Sequence, residues 1–169
     1  MSDVQHRKLV KQIIQETRAK QLEGHKYKYD CEVPYNNFGN RGFVDLIIES
    51  RTIVQDEFTS EYFAIIEAKP VLDDLGHTIR QLRGARAAYK KGLMVLAVYL
   101  TKHNLDFIEE NFEILATLND FMIWTYLENG DRSISIVPKG IYDIATKNFR
   151  EWWQYPKLEE LLDHQNKEV

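Results

Sequence analysis

Gly42-Phe43-Val44-Asp45-Leu46-Ile47-Ile48-Glu49-Ser50 and, after a polar stretch, Tyr62-Phe63-Ala64-Ile65-Ile66-Glu67-Ala68-Lys69-Pro70 decide how this chain is read. Both segments are short apolar runs rich in β-branched and aromatic residues, the composition of buried strands. Asp45 interrupts the first run and Glu67 the second. A carboxylate in such a setting is costly to bury unless a cation or a hydrogen-bond donor compensates it. Alternate side chains of a strand share a face, so Glu67 and Lys69 point the same way, while Ala68 offers its backbone carbonyl and little bulk. Two acids on paired strands can meet and hold one hard divalent cation through oxygen ligands, Mg2+ or Mn2+. The same residues also admit a purely structural arrangement, with Asp45 and Lys69 as a buried ion pair and Glu67 exposed at a strand end.

Working outward, apolar residues recur at helical spacing in Leu9, Val10, Ile13 and Ile14, predicting a helix from about Val4 to Glu23 that Gly24 ends. A strand is predicted from Lys26 to Val33, closed by Pro34 and the turn-like run Asn36 to Asn40. Arg51 to Ser60 reads as a connecting hairpin arm, and Pro70 ends the third strand. Leu75 to Lys91 suits an amphipathic helix whose small residues Gly84, Ala85, Ala87 and Ala88 permit close packing. Leu93 to Leu100 is a continuous apolar strand, followed by a helix from Asn104 to Leu118 and a strand from Phe121 to Leu127. Ser133 to Val137 is a candidate edge strand and Asn148 to His164 a final helix. The first three strands form an antiparallel meander, after which the helix returns the chain to a strand parallel to the third. The expected class is α/β, a mixed central β-sheet flanked by helices.

The chain has 169 residues, 44% hydrophobic and 28% charged, which bounds it to one globular domain. We expect a core over about residues 5–127 and a C-terminal extension over 128–169. The longest apolar run is too short to span a bilayer, and no secretory signal is evident, so no membrane association and an intracellular, cytoplasmic location are expected, the host's cytoplasm if the gene is viral. A single cysteine, Cys31, excludes an intramolecular disulfide and multi-thiolate metal sites, and is read as a small apolar strand residue. The net charge is −4, but residues 80–91 carry five basic residues and no acidic one, whereas residues 101–131 carry one basic residue against seven acidic. One basic face on an acidic protein follows.

Asp45 followed by Glu67-Ala68-Lys69, on consecutive strands before a helix with a basic side, resembles the PD-(D/E)xK nuclease superfamily of restriction endonucleases, Holliday-junction resolvases and RecB-like nucleases. The resemblance covers roughly residues 5 to 100 at the level of element order, and implies a restriction-endonuclease-like core. It implies that Asp45, Glu67 and the Ala68 carbonyl bind Mg2+ or Mn2+, and that Lys69 orients the attacking water and stabilises charge on the phosphate. Glu16, near the inward face of the first helix, would be a further metal ligand, and Gln81 on the following helix a further catalytic residue. The tyrosine that often follows that glutamine by four residues is replaced by Ala85, with Tyr89 as the candidate substitute, and Val44 stands where the family often has proline.

Arg41, Arg80 and Arg83 are the candidate nucleic-acid contacts, although Arg80, Arg83, Arg86 and Lys90 occupy several sides of one helix and cannot all face one ligand. His77 and His103 have no partner at metal-ligand spacing and read as exposed or capping residues. Trp152, Trp153 and Tyr155 read as packing for a terminal helix. The expected activity is hydrolysis of phosphodiester bonds, in DNA ahead of RNA, and a homodimer would supply two centres for two strands. The alternative is a catalytically silent nuclease fold serving as a nucleic-acid-binding or protein-interaction subunit.

Overall fold

A computed structural model describes residues 3–19, 24–54, 57–128 and 135–136. The chain runs α1 (Asp3–Ala19), β1 (His25–Asn37), β2 (Asn40–Val54), β3 (Glu57–Ala68), α2 (Leu75–Tyr89), β4 (Leu93–Tyr99), α3 (Lys102–Glu110), α4 (Phe112–Leu115), β5 (Phe121–Tyr126) and β6 (Ser135–Ile136). Six strands form one sheet in sequence order. The pairs β1/β2, β2/β3 and β5/β6 are antiparallel, and β3/β4 and β4/β5 are parallel. The meander and the helical crossover are therefore as expected, and the molecule is α/β with a mixed sheet flanked by helices.

The sheet buries both faces. α1 lays Leu9 and Ile13 on Leu46, Ile48, Ala64, Ile66, Val95, Ala97 and Trp124. On the opposite face, α2, α3 and α4 bring Leu82, Ala85, Leu105, Ile108 and Leu115 against Ile47, Ile65, Leu96, Val98 and Ile123. β4 and β5 lie between the two layers and are buried at every position, which is why they read as unbroken apolar runs.

The β1–β2 hairpin is longer than its sequence suggests. β1 passes through Pro34, paired opposite Phe43, and ends only at Asn37. As the edge strand it has a side on which the missing N–H of proline costs nothing. Midway, the hairpin rolls over. Tyr27 and Tyr29 of β1 face α1, yet Val33 and Tyr35, of the same parity, join the layer under α2. Leu46 and Ile48 of β2 likewise face α1, whereas Val44 faces α2. The reversal falls at Glu32 and Asp45, and Glu32 takes a positive φ of 49° there. Beyond it, Tyr35 is seated between Gly42 and Gly84, where an added Cβ would come within 2.6 and 2.5 Å of the tyrosine side chain. Cys31 lies on β1 beside the roll, a strand residue as expected, and is exposed.

The segment after β3 is stapled rather than free. Asn104, fully buried at the start of α3, accepts from Leu72 N and donates to the carbonyls of Pro70 and Tyr99. His103 Nε2 lies 2.9 Å from Leu72 O. Asp74 then caps α2 by accepting from His77 N. The helix expected from Asn104 to Leu118 is broken at Asn111 into α3 and α4. The expected helix over 148–164, with Trp152, Trp153 and Tyr155, lies outside the described residues, as does most of the expected extension. Among the described residues no helix is long and apolar enough to cross a membrane.

Asn104→Ala removes three hydrogen bonds at once and leaves Leu72 N and Pro70 O without their Asn104 partners, while Tyr99 O keeps Thr101 N, so we expect a loss of about 2–4 kcal/mol, read as a lowered midpoint in denaturant unfolding. An unchanged midpoint would show that the staple contributes nothing.

Candidate active site

β2 and β3 are paired from Val54 opposite Glu57 down to Leu46 opposite Ile66, and then part. The next residues along are Asp45 and Glu67. Side chains take over from the backbone ladder at this point. Asp45 N donates to Glu67 Oε1 at 3.1 Å, and Ala68 N donates to Asp45 Oδ2 at 2.8 Å. β3 meanwhile stays in register with β4, and Lys69 N extends that ladder by donating to Ala97 O at 2.8 Å. The parting is a direct result of the roll at Asp45, which carries the outer hairpin onto α2 while β3 continues beside β4.

Glu67 is only 2% exposed. Burial, reinforced by the neighbouring Asp45 carboxylate, pushes its carboxyl up to about 8, against the opposing pull of the Asp45 backbone N–H and the Lys69 charge. The purely structural arrangement fails on two counts: Glu67 is the buried acid, and the side chain beside Asp45 is the His6 ring, with Nε2 3.0 Å from Oδ1. Two adjacent carboxylates, one held above its ordinary range by burial and by the charge of the other, suit a hard divalent cation with oxygen preference. Asp45 and Glu67, together with the Ala68 carbonyl, are the residues that would hold it. Among the described residues no three His, Cys, Asp or Glu side chains already converge as metal ligands.

The remaining candidates are unequally placed. α1 reaches Asp45 through His6, whereas Glu16 lies ten residues further on, about 15 Å along the axis, and its charge is felt at Tyr126. The structure therefore does not bring Glu16 to the acid pair. His6 carries the signal that sequence reasoning missed: it precedes Leu9 by three residues and Ile13 by seven, so it belongs to the same inward face. Gln81 faces the site's flank. Its Nε2 is 3.5 Å from the carbonyl of Phe43, and its Oε1 is buried without a hydrogen-bond partner among the described residues. Arg41 is exposed on the outer hairpin and Arg80 on α2. Arg83 lines a separate groove with Arg86, Lys90, Met94 and Asn119, at the opposite end of the parallel strands from Lys69. Arg86 there is held in an ion pair with Asp120. His77 and His103 serve the α2 cap and the Leu72 staple.

Glu67 gives the metal-free protein a defined pH dependence. Below about 4.5 both folded and unfolded chains hold its proton, and the group costs nothing. As pH rises from 4.5 towards about 8, the unfolded chain ionises while the folded one keeps the proton, so stability falls by about 1.4 kcal/mol per unit and then levels. Unfolding midpoints in EDTA across this window should decline more steeply for wild type than for Glu67→Gln. Parallel profiles for the two proteins would contradict the buried, proton-holding Glu67.

No protein-family model and no curated protein sequence matches the chain. A solved structure described as an FdxN element excision controlling factor from Anabaena variabilis is similar at 15% identity and a TM-score of 0.45. The match covers 72% of this chain and 92% of that one, and it is too distant to carry an argument about either fold family or activity.

Proposed function

We propose that this protein is a metal-dependent nuclease of the PD-(D/E)xK type, with a restriction-endonuclease-like core, that hydrolyses phosphodiester bonds in DNA. The observation that carries the reading is the buried Asp45–Glu67 pair at the point where β2 and β3 part, with Lys69 two residues on. Asp45, Glu67 and the Ala68 carbonyl would hold Mg2+ or Mn2+, which would supply Lewis acidity to the phosphate and to the attacking water. Lys69 orients that water towards phosphorus and offsets the charge that grows on the phosphate oxygens. The water oxygen bonds to phosphorus as the P–O3′ bond breaks; the water gives up a proton, the departing 3′ oxygen takes one up, and the 5′ phosphate stays with the downstream strand. His6 fixes the orientation of Asp45 by occupying Oδ1, as Ala68 N occupies Oδ2. Gln81 flanks the same opening and has an acceptor oxygen to spare.

The competing reading, a catalytically silent nuclease fold that binds nucleic acid or another protein, draws on the lack of a third converged ligand among the described residues. A cleavage assay on labelled DNA with Mg2+, Mn2+ or EDTA separates the two. We expect metal-dependent products from wild type, a loss of about a hundredfold or more in Asp45→Asn, Glu67→Gln and Lys69→Ala, and a smaller loss of about tenfold in His6→Ala. Cleavage that persists in EDTA or survives Lys69→Ala would contradict the mechanism; binding without cleavage would favour the silent subunit.

A further inference from the structure

The outer half of the β1–β2 hairpin presents aromatic rings to solvent in a way that folding does not explain. Its two-residue turn is Phe38-Gly39, flanked by the pair Asn37 and Asn40. Both turn residues have positive φ, 51° and 89°. Such a turn favours Asn-Gly or Gly-Gly, because a bulky side chain at positive φ is strained. Phe38 nevertheless occupies the strained position, and its ring is fully exposed at 105%. It therefore brings neither burial nor local preference to the fold. Phe43, on the opposite strand of the hairpin, is 63% exposed. With Pro34, Tyr35, Asn36, Arg41 and Gly42 it lines a shallow recess of about 560 Å³.

The placement of these rings relates them to the acid pair. Phe43 precedes Asp45 by two residues, about 7 Å along an extended strand. Its carbonyl is the group that Gln81 approaches. Gly42 and Val44 are turned towards α2, so Arg41 and Phe43 project outward, a cation and a ring on successive outward positions leading away from Asp45. Aromatic faces beside a cation suit nucleobases flanked by phosphates. Paired bases in an intact duplex keep their faces covered by stacking, so only unpaired bases can take up these rings.

We propose that the hairpin tip is a base-stacking arm, in which Phe38 and Phe43 stack on unpaired bases next to the phosphate that a cation at Asp45 and Glu67 would receive, while Arg41 contacts the backbone. The substrate class is then single-stranded DNA or the unpaired part of a branched or overhanging duplex. This placement beside a scissile phosphate rests on the nuclease reading above.

The test measures binding in EDTA, by anisotropy of labelled single-stranded, overhanging and blunt-duplex DNA, with cleavage in Mn2+ measured in parallel. Phe38→Asn creates the favoured Asn-Gly turn, so its melting temperature should rise while its affinity for unpaired DNA falls; Phe43→Ala should bind weakly at unchanged melting temperature. We expect a loss of about tenfold per ring on single-stranded and overhanging DNA with blunt duplex unaffected, and near-wild-type binding with altered tryptophan fluorescence in Phe38→Trp. Equal losses on all three DNAs, no loss, or no binding of single strands by wild type would overturn the arm. So would a change of oligomeric state in Phe38→Asn, which would make the tip a contact between copies of the chain. If ring-dependent binding appears but wild type cleaves nothing, the arm stands and the nuclease reading falls.

Discussion

The roll of the β1–β2 hairpin at Glu32 and Asp45 is the constraint on which the rest of the site depends. It moves the outer strands from the layer under α1 to the layer under α2, so β2 can no longer pair with β3 beyond Leu46. The backbone groups freed by that separation are met by the two carboxylates, each accepting an N–H from the neighbouring strand. Such donors reduce the cost of burying the acids but do not cancel their mutual repulsion. Burial first, and that leftover repulsion second, hold the Glu67 proton at neutral pH, and a divalent cation would relieve the repulsion. The site is thus a local defect in the sheet.

The surroundings make that defect rigid on one side and open on the other. Asn104 and His103 fix the chain between Lys69 and α2, and the Lys69 backbone is tied to β4. The outer hairpin is anchored by the Tyr35 ring, which fits only because both neighbours are glycine. Glu67 is close enough to Tyr35 for its charge to oppose ionisation of the phenol, in addition to the larger effect of burial. The anchor and the acid pair are therefore neighbours, and loosening one disturbs the other.

Much of this was legible in the sequence. Period-2 and unbroken apolar runs located the strands, Pro70 and Gly92 punctuated them, and two acids in apolar company marked Asp45 and Glu67 before any contact was known. What was hidden depended on position in the sheet. Pro34 reads as a strand end unless β1 is known to be an edge. Phe38 looks like an ordinary apolar residue until its φ and exposure are seen. Glu16 was named from the resemblance and from its place near the inward face of the first helix, whereas the α1 residue that meets Asp45 is His6, which residue type alone did not single out.

The measurement that bears most directly on the central claim is calorimetric titration of Mn2+ into wild type and Asp45→Asn, in buffers of different ionisation enthalpy, between about pH 6 and pH 9. The account predicts one binding event that depends on Asp45 and displaces the Glu67 proton, with proton release largest well below pH 8 and vanishing above it. Absence of binding, or binding that is indifferent to Asp45 and releases no proton at any pH, would contradict it.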